Sequence, residues 1–181
     1  MPSAATASNA DGPTAQSHVS PPQQYLTFVL GGETFAIGIL AIKEIIEYTG
    51  ITDVPMMPAY LRGVINLRGA VVPVVDLSVR FGKPPNAVTK RTCIVIIEIK
   101  VGHERHDIGL VVDAVNAVLD IPQGEIEPPP SFGSHIRTDF IQGMGKVNGK
   151  FVILLELDHI LAFEEMQRLS AVAADQTEIH K

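Results

Sequence analysis

Short runs of alternating apolar and polar residues dominate the chain, and this period of two predicts β-strands. Residues 25–30 alternate up to Gly31-Gly32, and residues 34–39 continue as a second run, which is the pattern of a β-hairpin. Strands are also predicted on either side of Arg68-Gly69 and of Asn148-Gly149. The remaining predicted strands span residues 63–67, 70–75, 91–100, 107–113, 115–121, 140–147 and 151–157.

Two segments show helical spacing instead. Residues 40–46 place apolar side chains at helical intervals, which predicts one short helix, and residues 158–169 are predicted to close the fold as another. The prolines at 55 and 58 mark a connecting loop, and those at 128–130 mark a rigid one. Because aromatic residues make up 6% of the chain and Trp is absent, the core must consist mainly of Val, Ile and Leu. These features predict an all-β fold with a few short helices.

The two ends of the chain differ from its middle in composition. Residues 1–23 are rich in Ala, Ser, Pro and Thr with almost no large hydrophobic residues, so they are predicted to form a disordered tail. Residues 24–169 form the predicted folded domain. Residues 170–181 are predicted to be a loosely ordered tail.

The middle of the chain contains the same pattern twice, 80 residues apart. Residues 61–69 align with residues 141–149, and both glycines of each segment coincide. Downstream, Asp76 aligns with Glu156, and residues 37–39 resemble residues 108–110 in a second, weaker match. Chance is the alternative, because Gly and Val are common in this chain. A true duplication predicts two small β-barrels with a groove between them, each with a small core of its own.

The charge balance and the cysteine count limit the possible classes of protein. Twenty acidic residues against 14 basic residues give a net charge of −6, so a nucleic acid is not an expected partner. The single cysteine allows no intrachain disulfide. The N-terminus lacks the pattern of a signal peptide, and no apolar run is long enough for a membrane helix. We therefore expect a cytoplasmic protein that does not insert into the membrane.

The sequence offers no convincing set of catalytic or metal-binding residues. His103, Glu104, His106 and Asp107 lie close together, but strand alternation points the two histidines to opposite faces, so no metal is expected. Cys93 lies in an apolar strand and is interpreted as a buried, unreactive thiol. Asp76 and Glu156 end equivalent strands before helix-like segments, which indicates an N-cap at Asp76 and a favourable first-turn charge at Glu156 rather than acid–base catalysis. No phosphate-binding loop is present, and no cofactor is expected.

The most distinctive part of the sequence is the segment RGVINLRGAVVPVVDL, residues 62–77. It resembles the pattern RGVxNLRGxxxPVxDL of the CheW-like domain family. The supporting segments follow in the order of the family and cover about residues 24 to 169. They are FAIGI at 35–39, IKEI at 42–45, IGLVVD at 108–113, IEPPP at 126–130 and FIQGMG at 140–145.

The resemblance implies a fold of two SH3-like, five-stranded β-barrels packed around a hydrophobic seam. It also implies a function, because members of the family bridge the cytoplasmic tips of methyl-accepting chemoreceptors to the histidine kinase CheA at receptor arrays. The family's receptor groove lies between the barrels. The matching positions in this chain are Ile42, Glu44, Gly63, Arg68, Gly69, Gly109 and Val115.

Five of these seven positions have an expected role within the resemblance. Ile42 and Val115 would supply apolar contacts, Gly63 and Gly109 would permit close approach of the backbone, and Arg68 would present a planar donor group to the receptor. The residues that bind the kinase cannot be assigned one by one. The loops at residues 54–60 and 127–137 are the expected places.

Two alternatives remain open from the sequence. The first is a CheW-like adaptor in a chemosensory pathway that does not control motility. The second is a small ligand-binding or enzymatic protein that uses a cleft between two barrels, although a convergent cluster of His, Cys or acidic residues for such a role is not found.

Overall fold

The computed structural model of the chain describes residues 23–129 and 140–161, and residues 165, 168, 169 and 171 beyond them. The strands in the described residues are β1 (Gln23–Leu30), β2 (Glu33–Gly38), β3 (Ile42–Glu47), β4 (Leu61–Leu67), β5 (Ala70–Asp76), β6 (Cys93–Val101), β7 (Glu104–Val112), β8 (Ala114–Ile121), β9 (Ile126–Glu127), β10 (Ile141–Val147) and β11 (Lys150–Leu155). One α-helix of four residues, α1 (Leu77–Arg80), follows β5. Short 3-10 helices lie at Ile39–Ala41, Gln123–Glu125 and Leu157–His159.

The strands form two sheets, and each sheet makes one lobe of the molecule. The six-stranded lobe has the order β8-β1-β2-β11-β10-β9, and the five-stranded lobe has the order β3-β6-β7-β5-β4. Strand β2 pairs with β11 in parallel, as β5 does with β7, and the other pairs are antiparallel. The prediction of an all-β fold with two strand-built lobes is confirmed. The two-residue strand β9 adds a sixth strand to one lobe, where five were expected.

The two sheets follow one plan. Without β9, the order β8-β1-β2-β11-β10 corresponds to β3-β6-β7-β5-β4, strand by strand. The hairpins β4–β5 and β10–β11 are the segments that repeat at an offset of 80 residues. Their turns share a conformation, since φ is 52° at Arg68 and 86° at Gly69, and 54° at Asn148 and 78° at Gly149. We infer from this shared plan that the chain contains a duplicated unit.

The predicted helix at residues 40–46 is wrong. A single 3-10 turn at Ile39–Ala41 leads directly into β3, which pairs antiparallel with β6. Along β3 the half-buried residues alternate with exposed ones, but Ile45 lies on the exposed side and is 42% exposed. Because an isoleucine occupies this exposed position, the sequence of β3 does not alternate between apolar and polar residues. A helix of seven residues is only marginally stable, whereas β-branched residues beside an unpaired strand favour pairing.

Several predictions fall on residues that the structure does not describe. The tail at residues 1–23 lies outside the described residues except for Gln23, which begins β1. The tail at 170–181 lies outside them except for Ala171, and the loop at 127–137 is described only to Pro129. In the predicted closing helix, residues 165, 168 and 169 are helical. No helix in the described part of the chain is long and apolar enough to cross a membrane.

The largest apolar core lies between the lobes. Alternate residues of β6 face opposite ways: Val95, Ile97 and Ile99 belong to the core between the lobes, whereas Ile94 and Ile96 belong to the interior of the five-stranded lobe. All five side chains are at most 1% exposed. The strand is therefore buried on both faces, which explains its continuous apolar sequence. We call this shared core the seam.

Four phenylalanines form a continuous contact through the seam. Ring centroids are 5.9 Å apart between Phe28 and Phe35, 5.7 Å between Phe35 and Phe81, and 5.6 Å between Phe81 and Phe140. Phe28 and Phe35 come from the hairpin β1–β2, Phe81 follows α1, and Phe140 precedes β10. The contact thus joins segments that are far apart in the sequence and belong to both lobes.

The C-terminal segment is fastened across the seam by Arg80. Its Nε donates a hydrogen bond to the carbonyl of Ile160 at 2.6 Å, and its Nη2 donates to Glu165 at 2.8 Å. The guanidinium also lies over the rings of Tyr60 and Phe140, at 5.0 and 5.2 Å. Burial and the neighbouring Glu165 carboxylate raise the pKa of Tyr60 to about 12, so its hydroxyl stays protonated and donates to Glu165.

The chain also crosses between lobes through very short connections. Asp113 alone joins β7 of the five-stranded lobe to β8 of the six-stranded lobe. Its backbone N–H donates to the carbonyl of Val29 at 3.0 Å, and its carboxylate accepts from the N–H of Gly31 at 2.8 Å. The crossing is therefore held at both its main chain and its side chain.

Removal of the central ring of the phenylalanine contact should destabilise the whole molecule. Phe35 is fully buried, and we expect Phe35→Ala to lower the free energy of unfolding by about 3–5 kcal/mol, because it leaves a cavity in the seam. Chemical denaturation followed by far-UV circular dichroism measures this change. The control is Phe151→Ala, because Phe151 is 52% exposed and its loss should have a small effect. Equal effects from the two variants would contradict the role of the seam.

Candidate functional site

The segment that carries the family resemblance builds an ion pair whose carboxylate is buried. Nε of Arg62 donates to the Asp76 carboxylate at 2.7 Å, and Nη1 donates to the hydroxyl of Tyr48 at 2.9 Å. The same carboxylate accepts from the N–H of Val79 at 3.2 Å and caps α1, so the predicted capping role of Asp76 is confirmed. Asp76 is 2% exposed. These residues of the segment therefore organise the fold rather than a surface.

Two of the predicted site glycines also lie inside the molecule. Gly63 has a φ of 150°, and a Cβ at this position would lie 2.2 Å from the carbonyl oxygen of Thr52. This contact exists because Thr52 and Val64 pair through two backbone hydrogen bonds of 2.8 Å. A Cβ on Gly109 would lie 2.6 Å from Cγ2 of Ile94, in the interior of the five-stranded lobe. The close approach that these glycines permit is therefore between segments of this chain.

Ile42 and Val115 occupy similar places in the two lobes. Ile42 begins β3 and pairs with Ile97, and Val115 lies near the start of β8 and pairs with Phe28. Both are half-buried and pack against the seam. Each therefore has apolar surface left for a contact outside the chain.

Glu44 of β3 forms an ion pair with Arg68 of the β4–β5 turn in the five-stranded lobe. Strands β3 and β4 stand at opposite ends of the sheet order, yet both terminal nitrogens of Arg68 donate to the two carboxylate oxygens of Glu44, one of them at 3.0 Å. The sheet therefore curves enough to bring the β4–β5 turn within side-chain reach of β3. The turn is fixed by the N–H of Gly69, which donates to the side chain of Asn66 at 3.0 Å.

This ion pair is on the surface. The side chain of Arg68 is 74% exposed and that of Glu44 is 25% exposed. The hydrogen bond from Arg68 lowers the pKa of Glu44, and the same bond raises the pKa of Arg68, so both groups are charged at neutral pH. Exposed ion pairs of this kind contribute little to stability because water and salt screen them. The pair is therefore accessible to another protein.

The other lobe has no such pair at the equivalent positions. In the repeat, Arg68 corresponds to Asn148, and the alignment of β3 with β8 places Ala117 at the position of Glu44. Neither residue carries a charge, and the carbonyl of Ala117 accepts a hydrogen bond from Thr27 instead. The two lobes thus share a backbone plan and differ in their surface chemistry.

The structure brings together some of the seven predicted site residues and separates others. Glu44, Arg68 and Gly69 form one surface cluster, whereas Ile42 faces the seam beside Ile97, because a bulge in β3 between Ile42 and Glu44 shifts the register of the strand. Gly63 and Gly109 are buried within the five-stranded lobe, and Val115 belongs to the other lobe.

A second feature was not anticipated from the sequence. A cavity of about 550 Å³ lies where the chain crosses from β2 to β3. Its lining combines apolar residues with the acidic side chains of Glu98, Glu156 and Asp158. Leu40 stands at this cavity and is 99% exposed. No local sequence pattern marks this cavity, because its lining comes from five separate segments of the chain.

Other candidate groups have ordinary surroundings. Nε2 of His106 lies 3.3 Å from a carboxylate oxygen of Glu104, and no group of three or more His, Cys, Asp or Glu side chains in the described residues is arranged to hold a metal ion. Cys93 is half-buried, and its thiol donates to the carbonyl of Arg91 at 3.2 Å. Burial, followed by the nearby charge of Glu47, raises the pKa of Cys93 and favours the protonated thiol over the reactive thiolate.

Substitution of the buried glycines should affect stability. We expect Gly63→Ala and Gly109→Ala each to lower the free energy of unfolding by about 1–3 kcal/mol, because the added methyl group overlaps neighbouring atoms. The matched control is Gly124→Ala, since nothing lies within 4 Å of a Cβ there. Thermal unfolding of the three variants measures the difference. Unchanged stability in Gly63→Ala and Gly109→Ala would contradict a packing role.

This chain is similar to known proteins over most of its length. The family model of the CheW-like domain matches residues 24–165. The chemotaxis protein CheW of Rhizobium meliloti strain 1021 is 36% identical over 145 residues, which is 80% of this chain and 91% of that protein. The chemotaxis protein CheW of Klebsiella aerogenes is 32% identical, over 83% of this chain and 89% of that protein.

A solved structure gives the same result. The scaffolding protein TtCheW from Thermoanaerobacter tengcongensis superimposes with a TM-score of 0.73 at 34% sequence identity. The match covers 83% of this chain and 96% of TtCheW. Since a family model spans most of the chain and relatives above 30% identity cover more than two thirds of it, the chain belongs to the CheW-like domain family.

Proposed function

We propose that this chain is a non-catalytic adaptor that couples the cytoplasmic tips of methyl-accepting chemoreceptors to the histidine kinase CheA. It would act in the cytoplasm, at membrane-bound receptor arrays. Membership of the CheW-like family supports this function, as do the names of the relatives, which are chemotaxis and scaffolding proteins. The observation that carries the proposal is the exposed Glu44–Arg68 pair, which only one of two similar lobes possesses.

The receptor would bind at Arg68 and the surfaces beside it. An arginine side chain has five N–H donors in one plane, and Glu44 occupies only the two terminal nitrogens. The remaining donors face solvent on a side chain that is 74% exposed, so a receptor carboxylate or carbonyl reaches them without any unfolding. A receptor helix would place its apolar side chains against the half-buried Ile42 and Val115.

The kinase would bind at separate, apolar positions. Met56 is 97% exposed in the loop at residues 54–60 and has a φ of 62°, a conformation that is unfavourable for a residue with a Cβ. Its neighbours Val54 and Met57 pack against the seam and hold the loop in place. A rigid loop that displays one large apolar side chain has the form of an anchor for a partner's pocket.

The coupling itself would be mechanical. Both proposed surfaces are attached to the seam, so a displacement of the receptor moves the kinase-binding loop with it. The two states of the kinase differ in geometry. An adaptor that binds one state better than the other shifts the population toward that state. No bond is made or broken by the adaptor in this scheme.

Reversal of the charge at position 68 should weaken receptor binding and leave the fold intact. In Arg68→Glu two carboxylates face each other, and we expect the affinity for a receptor cytoplasmic fragment to fall at least tenfold in isothermal titration calorimetry, with little change in stability. The exchanged pair Glu44→Arg with Arg68→Glu restores the ion pair with reversed polarity. It should remain defective in binding if Arg68 contacts the receptor directly.

The control for this experiment is Arg105→Glu. Arg105 is also an exposed arginine paired with an acid, since its side chain is 65% exposed and lies 3.4 Å from Glu98. We expect its receptor affinity to stay within a factor of two of the wild type. Full binding by Arg68→Glu, or recovery of binding in the exchanged pair, would argue against the assignment of Arg68.

The kinase surface is tested by Met56→Gly. Glycine adopts a positive φ without strain, so we expect the free energy of unfolding to stay the same or rise by about 0.5–1 kcal/mol. The affinity for the regulatory domain of CheA should fall, while receptor binding persists. Measurement of kinase autophosphorylation with receptor and adaptor present tests the coupling. Normal kinase affinity in this variant would remove Met56 from the interface.

A further inference from the structure

The two duplicated units of the chain are joined by one exposed loop. We call residues 23–81 the first half and residues 93–161 the second half, and residues 82–92 connect them. The loop contains no strand or helix, and all but a few of its side chains are exposed. It is the one covalent link between the halves.

Each sheet is assembled from both halves. The pairs β1–β8, β2–β11, β3–β6 and β5–β7 all join a strand of the first half to a strand of the second half. The pairs β1–β2 and β4–β5 lie within the first half, in different lobes. The first half on its own would therefore consist of two separate hairpins and the strand β3.

The apolar cores are shared in the same way. In the five-stranded lobe, Val72 and Val74 of the first half pack with Ile94, Ile96 and Val111 of the second half. The interior of the six-stranded lobe likewise combines residues of both halves, namely Tyr25, Ala36, Ile121, Val152 and Leu154. Neither half retains a complete core without the other, so each half is the obligate partner of its complement.

Polar contacts cross the same boundary. Lys43 of the first half donates to Asp107 of the second half at 3.0 Å. The hydrogen bond from Arg80 to Ile160 also crosses it, as does the hydrogen bond from Gly31 to Asp113. Apolar packing and ionic contacts therefore both make one half specific for the other.

We propose that the chain exchanges halves with a second copy of itself. In the exchanged dimer, the first half of each chain folds with the second half of the other chain and forms two complete two-lobed units. Every strand pair, core contact and ion pair between halves is then reproduced between chains. The two arrangements differ only in the path of residues 82–92 and in the entropy of association.

The loop sets the balance between the two arrangements. It is fastened locally, since Lys83 lies 3.0 Å from Glu33 and the side chain of Asn86 donates to Asp113 at 3.1 Å. An intact loop gives the two halves of one chain an effective concentration on the order of millimolar, so the monomer is favoured in dilute solution. Exchange is favoured when chains fold together at high concentration.

The exchanged dimer would present every surface of the adaptor twice on one particle. It therefore carries two Glu44–Arg68 pairs tethered by two loops, and it binds two copies of any partner that the monomer binds once. The proposal itself depends only on the topology and holds whatever the partner is.

Complementation between two defective full-length chains tests the exchange. Val74→Asp breaks the five-stranded core from the first half, and Ile96→Asp breaks it from the second, since both side chains are at most 1% exposed. Each variant alone should fail to fold. Refolded together, they should give a particle of twice the monomer mass in which one unit has two wild-type halves.

Isotope labelling makes the result specific. With 15N only in the Ile96→Asp chain, we expect the amide signals of its residues 23–81 to appear at wild-type positions after mixing, and those of residues 93–161 to remain unfolded. The control mixture is Val72→Asp with Val74→Asp, which damages the same half twice and should recover nothing. Failure of the first mixture to recover, or recovery of the control mixture, overturns the proposal.

The wild-type chain provides a measurement that does not depend on a destabilised variant. When it refolds at millimolar concentration, size-exclusion chromatography with light scattering should show a dimer that persists on dilution and reverts to monomer only after unfolding. A dimer that dissociates at once on dilution is a surface association, and it overturns the proposal, as does a monomer at every concentration.

Discussion

The apolar seam between the lobes is the constraint on which the rest of the structure depends. Each lobe is a small sheet with few buried residues of its own, and a core of that size does not stabilise a fold alone. The seam supplies the missing burial, with the phenylalanine contact from Phe28 to Phe140 at its centre. Strands such as β6 must therefore be apolar on both faces, and the surface left for function is limited to edges, turns and crossings.

The proposed function depends on differences between two similar lobes. The turn at Arg68 and the turn at Asn148 have nearly the same backbone, so the scaffold does not require a charge at either place. An arginine with a paired glutamate stands on one lobe, and two uncharged residues stand on the other. The shared plan thus supplies the backbone twice, while single side chains make the two lobes differ in charge.

Local patterns in the sequence predicted the features that depend on interactions between neighbouring residues. The hairpins, the glycine-containing turns and the capping role of Asp76 depend on residues a few positions apart, and they were predicted correctly. The strand at Ile42–Glu47 was missed, because its pairing with β6 depends on residues about fifty positions away. The packing of Gly63 against Thr52 and the exposure of Leu40 likewise follow from tertiary contacts. Of the candidate site, the residue types were visible in the sequence, but their grouping was not.

The single-residue crossing at Asp113 determines how this molecule can move. A hinge needs several residues whose dihedral angles are free to change, and here the main chain and the carboxylate of Asp113 are both tied to the neighbouring lobe. The crossing at Ile39–Ala41 is a closed 3-10 turn of three residues. The lobes are therefore unable to open like a clamp, and a push on one side of the molecule arrives at the other side as a translation or rotation of the whole body.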